Sequence, residues 1–98
     1  MQTYILMTKL SQEASKQLKF REEVGHAWLE LVKSKCPDVK FVAHYFLLGT
    51  YDFMDIYEAP DAETAAKVSM ISLANGAVRA ESWTAIPYKN FLKLTSEI

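Results

Sequence analysis

Few side chains in this sequence could do chemistry at neutral pH. There are two histidines, His26 and His44, one cysteine, Cys36, and carboxylates and tyrosines spread among apolar segments. His44 stands at the centre of an apolar run, Val39–Leu48 (VKFVAHYFLL). An imidazole there could act as a general base or a ligand near neutral pH; equally, it could be a core histidine with its hydrogen bonds met. A partner among Asp55, Tyr57 and Glu81 would decide for the functional reading. Tyr51 and Asp52 adjoin in a turn, where a phenol beside a carboxylate could orient a polar ligand or pass a proton. The structural alternative is a turn aspartate bonding nearby amides under a packed tyrosine. Asp55 and Tyr57 share one face of a strand, and Arg79, Glu81 and Trp83 share one face of another. Such polar groups among aromatics suit either a small-molecule pocket or a salt bridge between copies of the chain. His44, Tyr51, Asp52, Asp55, Tyr57 and Trp83 are therefore the candidate ligand-binding residues, and no catalytic residue is assigned.

Other groupings carry less. Glu22, His26 and Glu30 follow at i, i+4 and i+8, a spacing that could hold a metal ion. They lie opposite the apolar stripe of their helix, so a solvated face with i,i+4 support is the expectation. No CxxC, HxxxH or HExxH motif seeds a metal centre, and neither metal nor cofactor is expected. Cys36 precedes Pro37 at a helix C-terminus, where the dipole disfavours a thiolate, so it does not read as a nucleophile.

What must position these residues is one domain, 1–98, since 98 residues leave no room for a second. Eleven basic and 12 acidic residues give a net charge of −1, which offers no general attraction for nucleic acid or an anionic membrane. No apolar run approaches the length of a membrane span. The first ten residues lack a basic stretch followed by an apolar run. A single cysteine fits a reducing compartment, so a cytoplasmic location is expected.

Thr3–Leu10 is β-branched, aromatic and apolar, and reads as a strand. Ser11 is a helix cap with Glu13 in the first turn. Gln12 to about Lys35 reads as one long helix with a stripe of Phe20, Val24, Ala27, Trp28, Leu31 and Val32. Gly25 interrupts it, and Pro37 ends it. Val39–Leu48 and Phe53–Ala59 form a hairpin across Gly49–Asp52, with Gly49 as the permissive residue. Pro60-Asp61 caps a second helix, Ala62–Ala74, which Asn75-Gly76 stops. Ala77–Ile86 is the fourth strand, and the tail carries a short apolar patch, Phe91-Leu92-Leu94, that could be a fifth extension or a helical turn. The order βαββαβ is the split, ferredoxin-like α+β pattern, a four-stranded antiparallel sheet with two helices on one face.

Such a sheet should alternate apolar and polar residues when its second face meets water. The second strand does not. Strict alternation places Phe41, Ala43, Tyr45 and Leu47 on one face and Val42, His44, Phe46 and Leu48 on the other. Two helices on one side leave the second face bare. A second copy is the simplest cover, so a homodimer with sheets face to face is expected.

Gly49-Thr50-Tyr51-Asp52, the later Glu58-Ala59-Pro60-Asp61 and Asn75-Gly76-Ala77-Val78-Arg79 together resemble the GYD-domain family of small bacterial and archaeal proteins. Gly49, Tyr51 and Asp52 match its glycine–variable–Tyr-Asp pattern, and Tyr4 through Lys16 is a looser match. The resemblance covers nearly the whole chain. It implies a ferredoxin-like domain of the dimeric α+β-barrel superfamily and brings no catalytic residue with it. Three functions stay open. One is a homo-oligomer binding a small, apolar or aromatic ligand beside the sheet. Another is a cofactor-independent oxygenase, isomerase or dehydratase using His44 or Asp52 as acid–base. The third is an accessory subunit docking a larger partner.

Overall fold

A computed structural model describes residues 1–98. Strands β1 (Gln2–Leu10), β2 (Lys40–Phe46), β3 (Phe53–Ala59) and β4 (Ala77–Ala85) form one sheet in the order β2-β3-β1-β4. Every neighbouring pair is antiparallel. Helices α2 (Arg21–Lys35) and α3 (Ala62–Ala74) fill the two crossovers, so the βαββαβ ferredoxin-like architecture read from the sequence is the one observed. α3 begins under Asp61, whose carboxylate accepts the Thr64 hydroxyl at 2.7 Å and the Thr64 N–H at 2.8 Å; the hydroxyl, then the N–H, hold the carboxyl below its ordinary range.

The core lies between the sheet and the two helices. Tyr4 and Leu6 of β1 and Tyr57 and Ala59 of β3 pack against Val32 and Cys36 at the end of α2 and against Ala65 and Val68 of α3. Aromatic rings run through it in series: Trp28 to Phe41 at 5.5 Å, Phe41 to Tyr57 at 5.9 Å and Tyr57 to Tyr4 at 5.6 Å. The Tyr57 hydroxyl shares a 2.7 Å hydrogen bond with Ser82, and burial pushes its pKa up to about 12.

Two features differ from the expectation. The first helix is not continuous. α1 (Gln12–Lys16) ends at Gln17, a 3-10 turn covers Leu18–Phe20, and α2 starts afresh at Arg21. Ser11 caps α1 with its hydroxyl on Ala14 N–H, and its own N–H donates to Gly76 O at 2.8 Å. That tie fixes the direction of α1, and the break redirects the chain over the sheet.

The second difference is a bulge. Phe41 pairs with Tyr57 but Ala43 pairs with Ile56, so Val42 is the extra residue. An extra residue reverses the alternation beyond it. Phe41, His44 and Phe46 therefore face the helices, while Ala43 and Tyr45 face away. The strict alternation read from the sequence is wrong at this point. In the hairpin, Leu47 N–H donates to Asp52 O at 2.8 Å, and Gly49 keeps an ordinary φ. Gly76 alone takes a left-handed conformation, φ 104°.

The tail, which the sequence leaves open between a fifth extension and a helical turn, forms a helix, α4 (Tyr88–Ser96). It is amphipathic yet packs no apolar side chain away: Tyr88, Phe91, Leu92 and Leu94 are each 48% exposed or more. The sheet's second face is also bare. Its central band is Ile5, Met7, Met54, Ile56, Ala43, Tyr45 and Trp83, of which Tyr45 and Trp83 are exposed, Met7 is buried and the others are half-buried. Lys9, Arg79 and Glu81 flank the band at one end, and Lys40 and Glu58 at the other.

Candidate functional site

The bulge in β2 brings His44 opposite Asp55 of β3, and the two side chains meet through Nδ1 and Oδ1. The Asp55 side chain is only 5% exposed, whereas His44 is 61% exposed. Burial raises the pKa of the Asp55 carboxyl, and the charge and hydrogen bond of His44 pull it part of the way back. His44 also stacks on Phe53, ring centroids 5.5 Å apart at 13°. The Arg21 guanidinium lies 5.6 Å from the same Phe53 ring.

These groups sit in a groove of about 450 Å³ between α2 and the helix-facing side of the sheet. Its apolar walls include Trp28, Leu29, Phe41 and Phe53, and its polar groups include Thr8, His44, Asp55 and Ser72. Trp28 Nε1–H donates to Ser72 Oγ at 2.9 Å, and Ser72 donates to Val68 O at 3.2 Å, which pins the indole against α3. Arg21, Glu22 and His26 reach the groove from α2. Glu22 and His26 were expected on a face opposite the apolar stripe. They are exposed, as that expectation has it, and border the rim of the groove; His26 Nε2 stands 4.0 Å from Glu30 on an exposed surface.

The six candidates thus divide among four places. His44 and Asp55 come together in the groove. Tyr57 is buried beneath it, its hydroxyl bound to Ser82. Tyr51 and Trp83 lie on the opposite, bare face of the sheet. There the Tyr51 hydroxyl donates to Glu81 at 2.6 Å, Trp83 Nε1–H donates to Glu81 at 2.9 Å, and the two rings meet edge-on at 6.2 Å. The Tyr51 hydroxyl, then the Trp83 N–H, hold the Glu81 carboxyl below its ordinary range; the carboxylate in turn raises the Tyr51 pKa. Asp52 ties the hairpin to β1: its carboxylate accepts Leu10 N–H at 2.8 Å, and its own N–H donates to Thr8 O at 2.8 Å. Phe53, Trp28 and Arg21 contribute to the groove but were not singled out as binding residues. Trp28 read as core because its spacing matches the apolar stripe, and the glycine one turn before Leu29 was the only local sign of open space.

An imidazole whose Nδ1 is held by a buried carboxylate is a positioned acid–base and hydrogen-bonding group. The fold and its surfaces thus define a small two-layer α+β domain with an aromatic groove on one side and an uncovered sheet on the other. The chain belongs to the GYD domain family, whose profile matches residues 4–95. It is 31% identical over 93 residues to a Thermus thermophilus protein named "Glutamine synthetase and cystathionine beta-lyase binding protein", spanning 94% of this chain and 96% of that one. No solved structure matches the chain significantly.

Proposed function

We propose that this protein is an accessory binding subunit: a homodimer, closed through the bare sheet face, that docks onto a larger metabolic enzyme. The observation that carries this is the apolar surface the chain leaves uncovered. Half of its residues are apolar, but only 12 of 98 are buried. The exposed apolar side chains include Tyr45 and Trp83 of the sheet band and Tyr88, Phe91, Leu92 and Leu94 of α4, and apolar patches of this kind mark interaction sites. A second copy suits the band because charges of both signs flank it at Lys9, Arg79 and Glu81 and at Lys40 and Glu58, so two copies need not repel. The α4 stripe suits a groove on the enzyme, as an amphipathic helix offers anchors at i, i+3 and i+4. Lys89 and Lys93 beside that stripe favour an acidic rim on the partner. The relative's name points to glutamine synthetase or cystathionine β-lyase as the enzyme. On this reading the protein works in the cytoplasm, where Cys36 stays reduced.

Sedimentation with each purified enzyme from the same source tests both parts. The expected result is a species of twice the 11.2 kDa chain mass that shifts to the enzyme's boundary on mixing. A monodisperse monomer at about 10 μM overturns the dimer, and a dimer that leaves both enzymes unshifted overturns the docking.

A further inference from the structure

The groove under α2 lies on the other side of the sheet from the bare face, and neither dimerisation nor α4 accounts for it. Its volume of about 450 Å³ falls within the usual range of small-molecule sites, roughly 300–1,000 Å³. Two independent features say that it is kept open and what chemistry it offers.

Gly25 is the first. A glycine in the middle of a 15-residue helix costs about 1 kcal/mol relative to alanine. A close-packed neighbour would explain it, but a Cβ built there meets nothing within 4 Å. Gly25 lines the groove. The missing side chain leaves open space on the groove that Trp28 and Phe53 also line, rather than room for another element.

The second is the polarity of the floor. Where the Asp55 carboxylate takes the Nδ1 proton of a neutral imidazole, the tautomer this pairing favours, His44 presents Nε2 as a hydrogen-bond acceptor. A ligand must therefore bring a donor. The charged groups lining the groove are Arg21, Glu22 and Asp55, with His26 and His44 beside them. One guanidinium stands against two carboxylates, so a ligand carboxylate would add a third negative charge where a neutral molecule would not. The walls are Trp28, Phe41 and Phe53, which favour a flat ring.

We propose that this groove binds a neutral aromatic molecule bearing one hydroxyl, a phenol, with its ring against Trp28 and Phe53 and its hydroxyl donating to Nε2 of His44. Asp55 is the positioning residue, since it sets the imidazole tautomer and touches no ligand atom.

The chain has two tryptophans, so its two indole N–H NMR signals, assigned with Trp83→Phe, report on both sides of the sheet. Titrating the full-length protein with 4-methylphenol is expected to move the Trp28 signal saturably and leave that of Trp83 in place. Toluene, which lacks the hydroxyl, should bind about tenfold more weakly, the loss of one hydrogen bond. Benzoate should also bind more weakly than the phenol. Gly25→Leu should abolish the response while the spectrum stays folded. His44→Phe, which keeps a ring over Phe53 but no acceptor, should remove the preference for 4-methylphenol over toluene. No Trp28 shift at about 5 mM 4-methylphenol overturns the proposal. So does an equal affinity for toluene or benzoate, undiminished binding in a folded Gly25→Leu, or an unchanged preference in His44→Phe.

Discussion

The Asp52 carboxylate accepts the Leu10 N–H while its backbone N–H donates to Thr8 O, so one residue binds the hairpin to the end of the central strand β1. A hydrogen bond to a charged acceptor contributes about 1.5–3 kcal/mol. Asp52→Ala should therefore cost about 2 kcal/mol of stability, read as a lower urea midpoint at unchanged m, with the Trp28 signal still responding to 4-methylphenol. Asp55 behaves differently. Burial raises its pKa above the ordinary 3.8, so the folded state binds more protons than the unfolded chain between that value and the raised one. Stability tied to Asp55 is then fully present below 3.8 and is lost as pH rises through its folded pKa. Urea titrations at stepped pH should show the protein losing stability relative to Asp55→Asn over that window; a gain with rising pH would refute the sign. The chemistry of Asp55 and His44 was visible in the sequence as two residues in need of a partner. Their meeting was not, because the bulge at Val42, which alternation does not show, sets which residues of β2 and β3 stand opposite. Tyr51 and Trp83 were visible as a polar–aromatic pair, but nothing in their spacing told that Glu81 would take both of their hydrogens.

Among the elements, strands and α3 were legible because their signals are local: β-branched runs, the Asp61 cap, and Gly76 at φ 104°. The break at Gln17 and the bulge at Val42 were not, since each is imposed by a distant anchor. Ser11 is held by Gly76 O, and β2 takes its register from β3. The two glycines of these segments make opposite predictions. Gly76→Ala forces an L side chain into a left-handed φ, with Ala14 Cβ already 3.4 Å from the new Cβ, and should cost about 1–2 kcal/mol. Gly25→Ala adds a methyl to open space in a helix and should stabilise by about 1 kcal/mol. Thermal melts of the pair check both signs. α4 extends the argument to docking. Its apolar side chains serve nothing within the chain, so Phe91→Asp should leave melting and dimerisation unchanged. The same variant should abolish the shift of the enzyme boundary; retained binding would remove α4 from the interface.

On the scale of the whole molecule, the principal extents are 51 × 30 × 18 Å. The short dimension is that of one helix layer on one sheet, since stacked layers lie about 10 Å apart. A third layer is absent from the single chain, and the sheet face that would receive it is apolar across its centre. Composition alone could not reveal this, because a normal apolar fraction says nothing of where the apolar residues lie. Tyr45 gives the sharpest test of what completes the stack. It is exposed in the single chain, so Tyr45→Glu removes little that holds one copy together. In a twofold dimer the same substitution enters the interface twice. Burying an unpaired carboxylate costs at least about 2 kcal/mol, so two copies lose about 4 kcal/mol, a thousandfold in dissociation constant. Tyr45→Glu should therefore sediment as a folded monomer at about 10 μM, where the proposed function expects the parent chain to be a dimer. If the variant is folded and still dimeric, the copies meet elsewhere, and the bare sheet face is left for the enzyme itself.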